Sequence, residues 1–108
     1  MHLELLVTEL GHEVCGIAVT DLEAIAAAAA LRPDAVLMDI RLANGSSGIH
    51  AAREIHAVHG LRCIFLSGNL DEQTRLDLQA YEPIGFVGKP ILPSALRDAL
   101  ERVGDLGR

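Results

Sequence analysis

The spacing of hydrophobic residues changes repeatedly along the chain, and each change predicts a different element. Leu3, Leu6, Val7 and Leu10 recur at helical spacing, and Gly11 follows them as a helix C-cap. The apolar run over residues 13–19 predicts a strand. The later segments predict a helix over 22–31, a strand over 35–40, a helix over 49–58, a strand over 61–66, a helix ending near 81, a strand over 84–87 and a helix over 93–103.

Local signals mark the ends of two of these helices. Thr20 with Glu23 forms a capping box before the second helix, and Pro33 stops that helix. Asn69 with Glu72 forms a similar start signal for the helix that ends near residue 81.

Strands that alternate with helices predict crossover connections and a parallel sheet. The runs over 35–40 and 61–66 are apolar on both faces, interrupted only by Asp39 and Arg62. Such runs are expected when helices cover both sides of a sheet. The predicted fold class is therefore α/β, with three layers.

Length and charge narrow the class of protein. A chain of 108 residues suits one domain, and its three aromatic residues leave the core to aliphatic side chains. The formal net charge is −6, and no cluster of Lys and Arg occurs. Nucleic-acid binding needs a basic footprint, so we expect no nucleic-acid partner.

The cysteines and the apolar runs bear on the compartment. Cys15 and Cys63 each lie in an apolar run, which predicts two buried, unreactive thiols rather than a disulfide framework. Such thiols suit a reducing compartment. The longest apolar stretch, residues 24–31, is too short to cross a bilayer, and no signal-peptide pattern precedes it. We therefore expect a cytoplasmic protein without a membrane partner.

Three polar residues stand where the predicted strands end. Parallel α/β sheets place their sites beyond the carboxyl ends of the strands, and Asp39, Ser67 and Lys89 lie there. A carboxylate can attack phosphorus and form an acyl phosphate. The Ser67 hydroxyl can donate to a phosphoryl oxygen, Gly68 leaves room for the group, and the Lys89 ammonium can pair with it. The set predicts phosphoryl-transfer chemistry that would also call for a metal ion.

The segments VLMDIRL, FLSGN and FVGKP resemble the three signature strand ends of response regulator receiver domains. The spacings match as well, since 67 − 39 gives 28 residues and 89 − 67 gives 22. The resemblance implies a flavodoxin-like, doubly wound parallel sheet over residues 1–103, followed by a short tail over 104–108. It implies that Asp39 takes a phosphoryl group from a histidine kinase or phosphotransfer protein and switches a face that binds a downstream protein. No separate enzymatic activity is expected.

The resemblance also assigns finer roles. Ser67 and Phe86 take the positions of the switch residues, and the bond from Lys89 to Pro90 is expected to be cis. Mg²⁺ is the expected cofactor, held by Asp39 and the backbone carbonyl of Arg41.

Two departures from the family pattern affect these roles. Ala43 and the longer NGSSG loop replace the usual short loop that contains proline. The acidic pair that should help to hold Mg²⁺ is absent, because the chain begins within the first helix of the family pattern and lacks the first, central strand. We expect the natural protein to start earlier, the present chain to bind Mg²⁺ weakly, and its isolated monomer to be unstable.

Plainer readings remain open. Taken alone, Asp39 would be interpreted as a turn or cap residue. Phe86 fits a residue packed within a strand as well as it fits a switch residue. His50, His56 and His59 share one helix and fit a solvated face better than a metal site. For the whole chain, the alternative function is a degenerate receiver that binds other proteins independently of phosphorylation.

Overall fold

The computed structural model describes residues 3–42, 47–68 and 71–106. Helices and strands alternate along it. In chain order they are α1 (Leu3–Glu9), α2 (Asp21–Leu31), β1 (Val36–Asp39), α3 (Gly48–His59), β2 (Cys63–Ser67), α4 (Glu72–Leu78), a 3₁₀ turn (Gln79–Tyr81), β3 (Gly85–Gly88) and α5 (Pro93–Leu106).

The three described strands lie side by side in the order β1-β2-β3, and both pairings are parallel. Val36 is aligned with Cys63 in the first pairing, and Ile64 is aligned with Gly85 in the second. β2 therefore has a neighbour on each side, and its first four residues are buried. The predicted parallel α/β sheet is confirmed.

Two cores form because successive side chains of a strand point to opposite faces of the sheet. On one face, Leu66 of β2 packs in a cluster with Val7 of α1 and Leu96 of α5. On the other face, Phe65 packs in a cluster with Ile55 of α3 and with residues of α2 and α4. The sheet is thus the middle of three layers, as the two-sided apolar strands predict.

Side-chain caps fix where two of the helices begin. The Thr20 hydroxyl accepts a hydrogen bond from the Glu23 N–H at 3.2 Å, so α2 starts at the predicted capping box. This helix ends before Pro33, with Arg32 in the left-handed conformation at φ 46°. Ser47 caps α3 by accepting from the Ile49 N–H at 3.1 Å.

The strand predicted over residues 13–19 is wrong, because this segment is irregular in the structure. β1 is an edge of the described sheet, and no described strand lies along its outer side. A strand is held by hydrogen bonds to a neighbour, so apolar residues without one do not form it. Ile17 and Val19 remain 66% and 57% exposed. The first, central strand of the family pattern, which the chain was expected to lack, is absent from the described sheet, as predicted.

Three further expectations need correction. Cys15 is exposed because it lies in that irregular segment, whereas Cys63 of β2 is buried as predicted. The cap of α4 is Asp71, which accepts from the Thr74 N–H at 2.7 Å, and Asn69 lies outside the described residues. Helix α5 runs to Leu106 rather than ending near Val103. Within the described ranges, no helix is long and apolar enough to cross a membrane.

The first turns of α2 and α3 are joined by a part-buried hydrogen bond between Asp21 and His50. The Asp21 carboxylate lies 2.7 Å from His50 Nδ1, and its second oxygen accepts from the Leu22 N–H at 2.8 Å. The His50 hydrogen bond is the main cause that holds the pKa of the Asp21 carboxyl below its ordinary value of 3.8, and the Leu22 N–H adds to it. The contact ties α3, which begins beside the end of β1, to its neighbour α2.

Replacing Asp21 by asparagine should flatten the loss of stability in acid. A carboxyl whose pKa is lowered by folding stabilises the fold above pH 3.8, and loses that contribution as the pH falls through the lower, folded pKa. We therefore expect the free energy of unfolding, measured in urea at successively lower pH, to fall more steeply for the wild type than for Asp21→Asn. Asp34→Asn, which removes an exposed carboxylate from the loop after α2, is the control. If the free energy of unfolding of Asp21→Asn falls with pH as steeply as that of the wild type, the expectation is contradicted.

Candidate functional site

The carboxyl ends of the three strands bring the predicted residues to one edge of the sheet. Asp39 is the last residue of β1 and Ser67 the last of β2, while Lys89 directly follows β3. Asp39 is aligned with Leu66, and Ser67 with Gly88, so the three strands end nearly level. The Lys89 N–H also donates to the Ser67 carbonyl at 2.9 Å, which continues the ladder past the end of β3.

Asp39 and Lys89 meet directly across this edge. The Lys89 Nζ donates to Asp39 Oδ2, and the two groups form an ion pair. Asp39 Oδ1 accepts from the Arg41 N–H at 3.2 Å. The side chains are 34% and 39% exposed, so solvent and small solutes reach the pair. The carboxylate is thus oriented by a cation and a backbone donor while one side of it stays open.

An open cavity of about 290 Å³ adjoins the ion pair. Its wall is polar at Asp39 and Lys89 and apolar at the residues from α1, β2 and the segment after β3, which are Leu3, Leu66, Pro90 and Ile91. The peptide bond between Lys89 and Pro90 is cis, the form that the resemblance implies. A group the size of a phosphate ion has room beside the Asp39 carboxylate.

Gly48 is a site residue that the sequence analysis missed. It opens α3 at the point where the chain returns against the end of β1, and its N–H donates to the Ile40 carbonyl at 2.9 Å. A Cβ at this position would lie 1.8 Å from the Asp39 carbonyl oxygen. Only glycine allows this approach. The sequence signal was the last glycine of the NGSSG loop, of which residues 44–46 and the preceding Ala43 lie outside the described residues.

Phe86 lies on the opposite face of the sheet from the cavity's apolar wall. Its ring stacks on Phe65, with centroids 5.8 Å apart and planes inclined by 23°. The guanidinium carbon of Arg75 on α4 lies 4.9 Å from the centroid of the Phe86 ring. The sequence analysis did not single out Arg75, because no spacing rule relates a residue of α4 to one particular residue of β3.

Among the described residues, no histidine or cysteine lines the cavity at this edge. His50 pairs with Asp21, and His56 Nε2 lies 3.1 Å from a carboxylate oxygen of Glu82. Burial raises the pKa of the Cys63 thiol to about 12, so it is protonated and unreactive near neutral pH. These contacts agree with structural roles for His50 and His56.

The donor atoms at this edge do not make a magnesium site. Mg²⁺ demands six oxygen ligands in octahedral geometry, usually with one or two carboxylates among them. In the described part of the chain, no three or more His, Cys, Asp or Glu residues cluster so as to hold a metal, and Asp39 is the one carboxylate lining the cavity. One of its oxygens is already occupied by the Lys89 ammonium. The expected ligands, Asp39 and the Arg41 carbonyl, supply too few oxygens by themselves.

A parallel α/β sheet with Asp39, Ser67 and Lys89 at the ends of its strands is the arrangement expected of a receiver domain. The family model for the response regulator receiver domain matches residues 1–101, and the chain belongs to that family. It is similar to the phyllosphere-induced regulator PhyR of Methylorubrum extorquens, at 37% identity over 87% of this chain. It is also similar to the chemotaxis protein CheY of Thermotoga maritima, at 31% identity over 95% of this chain and 86% of that protein.

The solved structures agree with the fold. The anti-anti-sigma factor PhyR from Bartonella quintana superposes with a TM-score of 0.76 and 31% identity, over 96% of this chain and 42% of that one. The chain therefore spans less than half of that structure, and 35% of the Methylorubrum protein.

Replacing Gly48 by alanine should destabilise the fold by about 1–3 kcal/mol or more, the range for forced overpacking. The new Cβ would overlap the Asp39 carbonyl, which is backbone and cannot rotate away. Urea unfolding measures the change. Gly68→Ala is the matched control, since its Cβ meets nothing nearer than Lys89 Cβ at 3.9 Å. Equal unfolding midpoints for the two variants contradict the expectation.

Proposed function

We propose that this chain is a phosphoacceptor receiver that takes a phosphoryl group from a histidine kinase or phosphotransfer protein onto Asp39. The observation that supports it most directly is the Asp39–Lys89 ion pair at an open edge of the sheet. A carboxylate held beside a cation and an open cavity suits attack on an incoming phosphoryl group. Membership of the receiver family supports the same proposal.

The chemistry of the transfer follows from the atoms in place. A carboxylate oxygen of Asp39 forms a bond to phosphorus as the bond from phosphorus to the donor's histidine nitrogen breaks, and that nitrogen keeps the electron pair. The Lys89 ammonium then moves its hydrogen bond from the carboxylate to a phosphoryl oxygen and neutralises charge there. The Ser67 hydroxyl, at the end of the middle strand, donates to another of these oxygens. Receiver domains generally bind Mg²⁺, and in a complete site that ion supplies further neutralisation.

The output is a change in a protein-binding face, with Ser67 and Phe86 as the switch residues. A new hydrogen bond at Ser67 and the withdrawal of Lys89 from Asp39 would both act at the end of β3, which Lys89 directly follows, three residues beyond Phe86. Similarity to PhyR, described for Bartonella as an anti-anti-sigma factor, favours an anti-sigma protein as the downstream partner. Like receivers in general, the module signals rather than catalyses, and we propose the cytoplasm as its location.

A second candidate is a degenerate receiver that binds its partner without phosphorylation. The observation in its favour is the incomplete donor set for a metal at Asp39 in the described part of the chain. The sequence encoded upstream of the Met1 codon discriminates between the two. An acidic pair there favours the phosphoacceptor, and its absence favours the interaction module.

Asp39 should be the phosphorylated residue. The chain, alone and within the longest protein that its gene encodes, is incubated with phosphoramidate and Mg²⁺, and the adduct is mapped by mass spectrometry. We expect one acyl phosphate on Asp39, lost in Asp39→Asn and retained in Asp34→Asn. Lys89→Gln should slow its formation by about tenfold or more, since the ammonium that neutralises charge on the transferring phosphoryl group is removed. An adduct elsewhere, or an undiminished one in Asp39→Asn, refutes the proposal.

The 108-residue chain itself should bind Mg²⁺ weakly. Two protein oxygens leave most of the coordination shell to water, so the ion keeps its hydration and gains little from Asp39. A calorimetric titration with Mg²⁺ should show no saturation at low millimolar concentration. The Asp39→Ala variant should give the same result as the wild type. Tight binding that disappears in Asp39→Ala would overturn this expectation.

A further inference from the structure

Helix α4 is anchored to the rest of the fold by few side chains. Of its seven residues only Leu78 is buried, and Thr74 is half-buried. Arg75 is an exposed residue of this helix, yet its guanidinium carbon lies 4.9 Å from the centroid of the Phe86 ring. A cation over an aromatic face is an attractive contact, which strengthens as water is removed. The contact joins α4 to β3.

The ring beneath this cation rests on a fixed neighbour. Phe65 and Phe86 are aligned across the β2–β3 pairing, and their rings stack at 5.8 Å. Phe65 is 1% exposed and cannot move without opening the core, whereas Phe86 is only half-buried. Within the hydrophobic cluster on this face, the Phe86 ring therefore contacts the fixed Phe65 ring and the exposed Arg75, which is the more mobile of the two partners.

The same strand leads to the site. Lys89 follows Phe86 by three residues, since 89 − 86 is 3, and its ammonium pairs with Asp39. We propose that Arg75 is a positioning residue, which holds the Phe86 ring on Phe65 and so couples α4 to the strand that presents Lys89. The coupling to Asp39 rests on the proposed function, whereas the hold on the ring does not.

The chemistry of the side chain requires arginine for the full effect. A guanidinium is planar and weakly hydrated and stacks on a ring, while the lysine ammonium is a compact, strongly hydrated point charge. Lysine at position 75 should keep part of the contact, and glutamine should lose it. At an exposed site, a contact of this kind changes the ratio of stacked to unstacked Phe86 ring conformations roughly two- to fivefold.

The chain offers a direct probe, because Phe65 and Phe86 are its only phenylalanines. Labelling with 4-fluorophenylalanine gives two fluorine resonances, and Phe86→Tyr identifies the one that belongs to Phe65. Arg75→Gln should shift or broaden the Phe86 resonance, reflecting a roughly two- to fivefold fall in the ratio of stacked to unstacked ring conformations. The Phe65 resonance should move less, and Arg75→Lys should lie between Arg75→Gln and the wild type.

Arg97→Gln is the matched control, since it removes the same charge from an exposed residue of α5. It should leave both resonances in place. An unchanged Phe86 resonance in Arg75→Gln overturns the proposal. So does an equal shift in Arg97→Gln, because the effect would then come from net charge and not from the contact over the ring.

A second arm tests the coupling. Phosphoramidate is added to the labelled wild type and to Arg75→Gln, and the Asp39 adduct is quantified in the same samples. The adduct should move the Phe86 resonance in the wild type and move it by less than half as much in Arg75→Gln. Equal movement in both overturns the coupling. If no adduct forms in either chain, the proposed function fails, and the fluorine comparison without phosphodonor still decides whether Arg75 holds the ring.

Discussion

Asp39 ends β1 and Lys89 directly follows β3, and β2 lies between these two strands. Their ion pair must therefore cross the end of β2. Adjacent strands lie about 4.8 Å apart, which separates the backbones of β1 and β3 by about 10 Å. A lysine side chain is long enough to span most of this distance, and serine or asparagine is not. The pair also depends on register, because a shift of β3 by one residue would turn Lys89 to the other face. The buried strand β2, paired on both sides, holds that register.

The ion pair contributes little to folding. Both side chains are about a third exposed, and pairs of this kind contribute about 0–1 kcal/mol. The stability of the domain comes instead from the two cores on either side of the sheet. Because little energy is lost when Lys89 leaves the carboxylate, the ammonium can transfer its hydrogen bonds to another anion at this edge. A buried pair would resist such an exchange, since each separated charge would have to be solvated again.

Most of the described sheet and the three polar strand ends were predictable from the sequence, because each depends on local pattern. Apolar runs on both faces indicate strands covered by helices, and a parallel sheet must bring its carboxyl ends to one edge. The strand over residues 13–19 failed because its hydrogen bonds require a neighbour that local pattern does not reveal. Gly48 and Arg75 were missed for a related reason. Their roles depend on contacts between elements, with the Asp39 carbonyl and with the Phe86 ring.

The two sides of the site are supported by contacts of different stiffness. On the β1 side, Gly48 lies against the Asp39 carbonyl backbone to backbone, and the His50–Asp21 contact ties the same helix to α2. Backbone in van der Waals contact has no alternative rotamer, so Asp39 is fixed in place. On the β3 side, the strand is paired with β2, but its contact with α4 includes two side chains, Arg75 and Phe86, which can separate at small cost. If Asp39 is phosphorylated as proposed, we expect the change in charge to reach α4 through Lys89 and β3, while the backbone on the β1 side stays in place.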